Sequence, residues 1–427
     1  MTQPATSKNA DATSAFGPIA EARRIQALDV VRGFALLGIL LMNMEAFVGP
    51  IVTAGSGIDP ALRGIDRWAD ALVYFFVQGK FYTLFSLLFG MGFAVMSLRA
   101  EAARRAFAGL YWRRTLALLG IGLAHALLVW SGDILVTYAL VSVVLLLFRQ
   151  IEGKWLVLLA LLAYAGTSAL MLAIGAVDWS MQLAPGSAAQ WNQAMDLQAT
   201  HVAAQIEGQR QAFGAGSYAE AVAQRLQDFV GGLGSLIVIG PLVLGMFLLG
   251  KWFVESGAIV EPGRYPRLFA RLRWWASCVG LLLMLASSWL RPTMPLDRMD
   301  LHSALAFVLS TWASLLLCLA YLAWLVRALE MPRVAARLAW LAPAGRMALT
   351  NYLMQSVVCT LVFYGYGLGW FERLPRAWQM PFALGLFAMQ VLLSRVWLAR
   401  FRFGPLEWLW RSLTYLAWQP MRKDVAG

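Results

Sequence analysis

Two groups of residues in this sequence carry chemistry that an apolar run does not need. The first lies in LDVVRGFALLGILLMNM, residues 28–44, which holds Asp29 and Arg32 near one end and Asn43 near the other. On a helix, Asp29 and Arg32 are three apart and lie side by side. Arg32 and Asn43 are eleven apart, close to three turns, so they share a face about 16 Å apart along the axis. One helix would carry a polar stripe, basic at its start and amide at its end. Phe34, Leu37 and Leu41 fall on the other face. Ionisable residues inside a membrane are costly and usually face the bundle interior. Either the stripe lines a path or binding site, or Asp29 and Arg32 form a structural ion pair at the membrane edge.

The second group lies in RRTLALLGIGLAHALLVWSGDILVTYAL. His125 stands near the end of one apolar helix and Asp133 opens the next, across a tight WSG turn. A carboxylate that orients an imidazole raises its basicity, which is how general bases are often built. A plainer reading makes Asp133 a helix N-cap and His125 an interhelical hydrogen-bonder. Lys80, in QGKFYTLFSLLFGMGF, falls toward the same side of the membrane. It either snorkels to the interface or contacts a substrate. Gly90 and its neighbours in that stretch suit close helix packing.

Two motifs near the end add polar groups. In GRMALTNYLMQS, Arg346 precedes Asn351, Tyr352 and Gln355. Asn351 and Gln355 are four apart and share a face, suited to a polar ligand or to gluing helices together. In FGPLEWLWRSLTY, Glu407 and Arg411 have i,i+4 spacing, and Trp408, Trp410 and Tyr415 suit a helix lying at the membrane surface. Arg346, Arg402 and Arg411 are candidate contacts for an anionic donor.

The elements that position these residues must be membrane helices. The 427 residues are 60% hydrophobic and 14% charged, with a mean hydropathy of +0.64. Soluble domains carry about 25% charged residues. The net charge of +12 does not point to nucleic acid, because the basic residues sit between apolar segments. Cys278, Cys318 and Cys359 lack metal or disulfide spacing, so no metal site is expected. The expectation is an all-α polytopic protein with about ten spans: 27–47, 70–97, 111–130, 133–149, 155–176, 230–252, 271–290, 303–326, 347–368 and 379–401. The second could instead be a short interfacial segment followed by a span. Arg and Lys concentrate in alternate connections, which places both termini in the cytoplasm. Residues 1–25 read as a disordered tail without a cleaved signal. Two five-helix halves, 26–176 and 230–402, flank an outer loop over 177–229, and residues 403–427 form an interfacial helix and tail. Within the loop, Ser217 and Glu220 make a capping box that opens a helix. The loop reads as a lid or as a solvated connection carrying one or two short helices.

LDVVRGFALLGILLMN, GKFYTLFSLLFGMGF, LAHALLVWSGDIL, GRMALTNYLMQSVV and FGPLEWLWRSLTY together resemble the YeiB-like family of bacterial inner-membrane proteins. The resemblance runs from about residue 25 to 418. It implies a multi-pass protein of the bacterial cytoplasmic membrane, in contact with the lipid bilayer. The first span is also similar to that of transmembrane acyltransferases, which carry an acyl group from cytoplasmic acyl-CoA to an acceptor across the membrane. Arg32 matches the arginine of that pattern, but Asn43 stands where those enzymes have a catalytic histidine. Asparagine is no base near neutral pH, so His125, with Asp133, becomes the candidate. The resemblance implies acyl-CoA as donor and a small-molecule, lipid or glycan acceptor. Asp29, Arg32, Asn43, Lys80, Arg346, Asn351, Tyr352 and Gln355 are the candidate binding residues. The alternatives are a transporter of a small polar or amphipathic solute and a non-catalytic scaffold or sensor.

Overall fold

The computed structural model describes residues 26–104, 106–184 and 186–423. The expected N-terminal tail lies outside the described residues. Within them, helix dominates and no strand forms; two isolated bridges tie Gly57 to Thr293 and Phe401 to Arg422. In chain order the helices are α1 (Gln26–Val48), α2 (Gly64–Phe76), α3 (Lys80–Ala102), α4 (Phe107–Leu128), α5 (Leu135–Leu145) and α6 (Lys154–Leu183). Then come α7 (Ala188–Gly214), α8 (Tyr218–Gly232), α9 (Leu236–Glu255), α10 (Pro266–Arg271), α11 (Ser277–Leu290) and α12 (Leu301–Leu329). The chain ends with α13 (Pro332–Leu338), α14 (Ala342–Arg346), α15 (Ala348–Phe363), α16 (Arg376–Arg400) and α17 (Pro405–Tyr415).

Helix occupies each of the ten stretches expected to span. Among the described residues, seven helical stretches are long and apolar enough to cross a membrane. At 11 and 16 residues, α5 and α15 fall short of the roughly 20 that a full span needs. The 22-residue α4 carries Arg113 and Arg114 near its start. Trp275, Leu282, Ile237 and Val396 point outward from the long helices, as contact with lipid requires. This is a polytopic helical membrane protein.

The second expected span is broken. The chain leaves helix at Val77–Gly79, and Gly79 has φ +80. That left-handed backbone favours glycine. A side chain there would also press on Ser314 of α12. The result is a short α2 followed by a full-length α3.

Close helix crossings hold the core. Gly90 of α3 lies against the Phe247 backbone of α9, and Gly250 of α9 lies against Leu87 and Met91 of α3. Small residues let two backbones approach where lipid supplies no hydrophobic drive between helices. Beside the crossing, Phe89 stacks on Phe247 with ring centroids 4.6 Å apart. Gly90→Val must push the helices apart, at a cost on the order of 3 kcal/mol. A thermal melt in detergent should show the drop, and an unchanged midpoint would mean that the crossing is slack.

At the N-terminal end of α1, α14 packs against it so closely that a Cβ on Gly345 would collide with the Asp29 carbonyl. The opposite end of the bundle is covered by α7 and α8. These helices, of 27 and 15 residues, give the 177–229 segment more regular structure than one or two short helices. The Glu220 N–H donates to Ser217 Oγ (3.3 Å), and the Ser217 N–H donates to Glu220 Oε2 (2.6 Å). The capping box is therefore closed in both directions.

Candidate functional site

Two cavities enter the bundle from its two ends. The smaller, about 200 Å³, opens beside α14 and α17. Arg32 from α1, Arg114 from α4, Arg346 from α14 and Arg411 from α17 all line it. Arg32 donates to Asp29 at 3.1 Å, so the pair expected from spacing forms while Arg32 also faces the cavity. The Arg114 guanidinium lies 3.8 Å over the Trp410 ring, and Trp410 Nε1–H donates to the Arg114 carbonyl at 2.8 Å. Glu407, the one carboxylate among the described lining residues, accepts the Leu349 and Thr350 N–H groups at 2.7 and 3.1 Å. Its carboxylate thus caps the start of α15, where the helix dipole favours negative charge. Burial pushes its pKa up, against the lowering effect of the Thr350 hydrogen bonds. Four guanidiniums against one carboxylate give this wall a net positive charge.

The larger cavity, about 780 Å³, lies toward the α7–α8 end. Asn43, Glu45, Gln78, Lys80, Tyr82 and Trp130 line it among many methionine and aliphatic side chains. Ile39, Ile134 and Tyr352 line both cavities. The stripe expected on α1 is therefore divided: Arg32 faces one cavity, Asn43 the other, and Ile39 stands between them.

His125 and Asp133 meet at this junction. His125 Nδ1 lies 2.7 Å from Asp133 Oδ2, and both side chains are buried. Asp133 Oδ1 also accepts the Val136 N–H at 2.8 Å, so one carboxylate caps α5 and orients the imidazole. With Nδ1–H donating to Asp133, Nε2 is left as the acceptor nitrogen, and it has no hydrogen-bond partner among the described residues. The imidazole packs on Tyr352 at 5.3 Å and on Trp130 at 6.4 Å between ring centroids. Those two rings line the larger cavity, whereas His125 and Asp133 lie behind them.

Asn351 and Gln355 have a different place. Asn351 Nδ2 donates to Ser394 Oγ (2.9 Å) and to the Ala344 carbonyl (3.2 Å). Gln355 Nε2 donates to Gln390 Oε1, and Gln390 Nε2 donates to the Asn351 carbonyl, both at 2.9 Å. All four side chains are buried, and they join α15 to α16. Of the polar residues in that motif, Arg346 and Tyr352 reach a cavity. Lys80 does not snorkel. It is 1% exposed, and its ammonium donates to the Tyr74 carbonyl at 2.9 Å.

Sequence reasoning missed three features. Arg114 stood only among basic residues flanking a span. Arg376, 8% exposed, donates to Asp70 at 2.8 Å and to Gln379 at 2.7 Å, and lies 3.4 Å from Glu45. Arg225 of α8 is fully buried, donates to the Leu128 carbonyl at 3.0 Å and to the Tyr366 hydroxyl at 2.8 Å, and sits within 6 Å of four aromatic rings. It pins α8 onto the end of α4, three residues past His125. Apart from Arg376 with Gln379 and Arg225 with Phe213 and Tyr218, these contacts join residues at least 97 positions apart, so no local pattern announces them.

Comparison with known proteins places the chain. Residues 253–417 match the family described as "Protein of unknown function (DUF418)". The chain is 35% identical to the uncharacterized protein YxaH of Bacillus subtilis (strain 168), over 96% of its own length and 99% of that protein. It is 32% identical to the uncharacterized protein YeiB of Escherichia coli (strain K12), over 92% of its own length and 97% of that one. An uncharacterized 39.9 kDa protein in the amylase 3' region of Bacillus acidopullulyticus is 27% identical over 93% of the chain and 96% of its own length. No solved structure matches. With near full-length similarity at this level and the matched C-terminal region, the chain belongs to the YeiB-like, DUF418 family.

Proposed function

We propose that the protein is a transmembrane acyltransferase of the bacterial cytoplasmic membrane, moving an acyl group from cytoplasmic acyl-CoA to an acceptor hydroxyl or amine on the other side. One observation carries the reading. Two cavities from opposite ends share Tyr352, and Tyr352 packs on a buried His–Asp pair whose imidazole Nε2 is unengaged among the described residues. The arginine-lined cavity suits the phosphates of the donor, since guanidinium groups pair with phosphate oxygens through charge-assisted hydrogen bonds. The larger cavity holds the acceptor. Rotation of Tyr352 or Trp130 gives the acceptor access to His125. His125 Nε2 takes the acceptor proton as the new C–O or C–N bond forms and the thioester C–S bond breaks. The departing thiolate then takes that proton from the imidazolium. Asp133 stays ionised and stabilises the imidazolium, as the aspartate of a catalytic triad does.

The layer between the cavities also fits an occluded transporter of a small amphipathic solute. Purified protein in detergent distinguishes the two. Labelled acyl-CoA should bind saturably. Arg32→Gln and Arg411→Gln should each weaken binding about tenfold or more, the usual size of a lost hydrogen bond to a charged group. Absence of binding across short and long acyl chains would remove the acyltransferase reading and leave transport.

A further inference from the structure

The larger cavity contains a cation that takes no part in the proton transfers proposed above. Lys80 is 1% exposed and lines that cavity. Its ammonium has a carbonyl at 2.9 Å and the Met284 sulfur at 3.3 Å. It takes part in no ion pair among the described residues. Glu45, a carboxylate on the same wall, is engaged by Arg376 at 3.4 Å and by the Gly55 N–H at 3.4 Å. A buried ammonium carries a large desolvation cost unless an anion meets it, and intramembrane cations mark ligand sites.

Two further features point the same way. Lys80 is the first residue of the 23-residue α3, which has no side-chain cap. The Thr83 hydroxyl turns back to the Gly79 and Lys80 carbonyls at 3.0 and 2.5 Å. The positive end of the helix dipole therefore adds to the ammonium. Beside the polar side chains, a large part of the wall is apolar and adaptable: Met42, Met171, Met284, Met294 and Met299 all face the cavity. Thioether side chains mould themselves to flexible hydrocarbon.

We propose that Lys80 anchors the headgroup of an amphipathic acid, a carboxylate or phosphate monoester on a hydrocarbon chain that lies along the methionine wall. The assignment does not depend on acyl transfer. A structural Lys80 that only tied the α2–α3 break to Tyr74 would show no preference among headgroups.

Binding of radiolabelled dodecanoate to the full chain in a neutral maltoside detergent tests the site, with no thioester present. Wild type should bind saturably. Dodecanol should compete at least tenfold more weakly than unlabelled dodecanoate, and acetate and inorganic phosphate should not compete. The ranking of dodecyl phosphate against dodecanoate identifies which acid is preferred. Lys80→Met should lose at least tenfold in affinity, and Lys80→Arg should stay within a few fold. Val238→Trp narrows the same cavity without touching charge and should also abolish binding. Absence of binding by wild type, equal competition by dodecanol, or full binding by a folded Lys80→Met would each overturn the proposal. If Lys80→Met fails to fold, headgroup preference in wild type together with Val238→Trp decides it. Failure here leaves acyl-CoA binding at the arginine cavity untouched, so the two readings fall separately.

Discussion

His125→Ala should lower acyl transfer by about 10²–10⁴-fold, the usual contribution of a positioned general base, while acyl-CoA binding stays within twofold. The separation follows from place: His125 is beside the junction, and the arginines proposed to hold the donor line the smaller cavity. Asp133→Asn sharpens the test. Asparagine caps a helix nearly as well as aspartate, so the hydrogen bond to Val136 survives and the melting temperature should hold. The imidazolium loses its carboxylate, and turnover should fall. A purely structural pair predicts the reverse, with both variants losing stability and neither changing the rate of transfer. Transfer rates and melts on the same preparations give the answer.

Arg376→Met should destabilise the fold by about 3–5 kcal/mol, the cost of breaking a buried ion pair from one side. The guanidinium lies between Asp70 on α2, Gln379 on its own helix and Glu45 at the end of α1. Asp70 in turn accepts the Asp59 N–H at 2.8 Å, so the cluster fixes the 49–63 connection as well. Removing the arginine leaves two carboxylates with no cation in a poorly solvated place. Combining Arg376→Met with Asp70→Asn should recover part of the loss, since the penalty belongs to the stranded charge. Thermal unfolding of both variants measures it. A single variant that melts like wild type would show that the cluster contributes nothing.

Local chemistry was legible where the contact lies within a turn or a hairpin. The Asp29–Arg32 pair, the Ser217–Glu220 box and the polar face of α15 all follow from helical periodicity. So did the shared face of Arg32 and Asn43, although not its division by Ile39. The role of that α15 face could not be read, because Gln390 and Ser394 approach from α16, across a reversal of the chain. The same holds for Arg376 with Asp70 and for Arg225 with the Tyr366 hydroxyl, where the sequence separations are 306 and 141. For Lys80, the sequence offered snorkelling and substrate contact alike and could not choose between them. The break at Gly79 turns that lysine inward.

Ile39, Ile134 and Tyr352 have a consequence for the cell's energy supply. Vestibules opening toward both aqueous phases would, if joined by water, short-circuit the voltage on which a bacterial membrane runs. A waist of two hydrocarbon side chains and one phenol gives hydrated ions no replacement for their water shells, and hydrophobic constrictions close pores by dewetting. These three side chains therefore belong to the electrical insulation, and a small or charged residue at Ile39 or Ile134 should raise ion leakage across a membrane holding this protein.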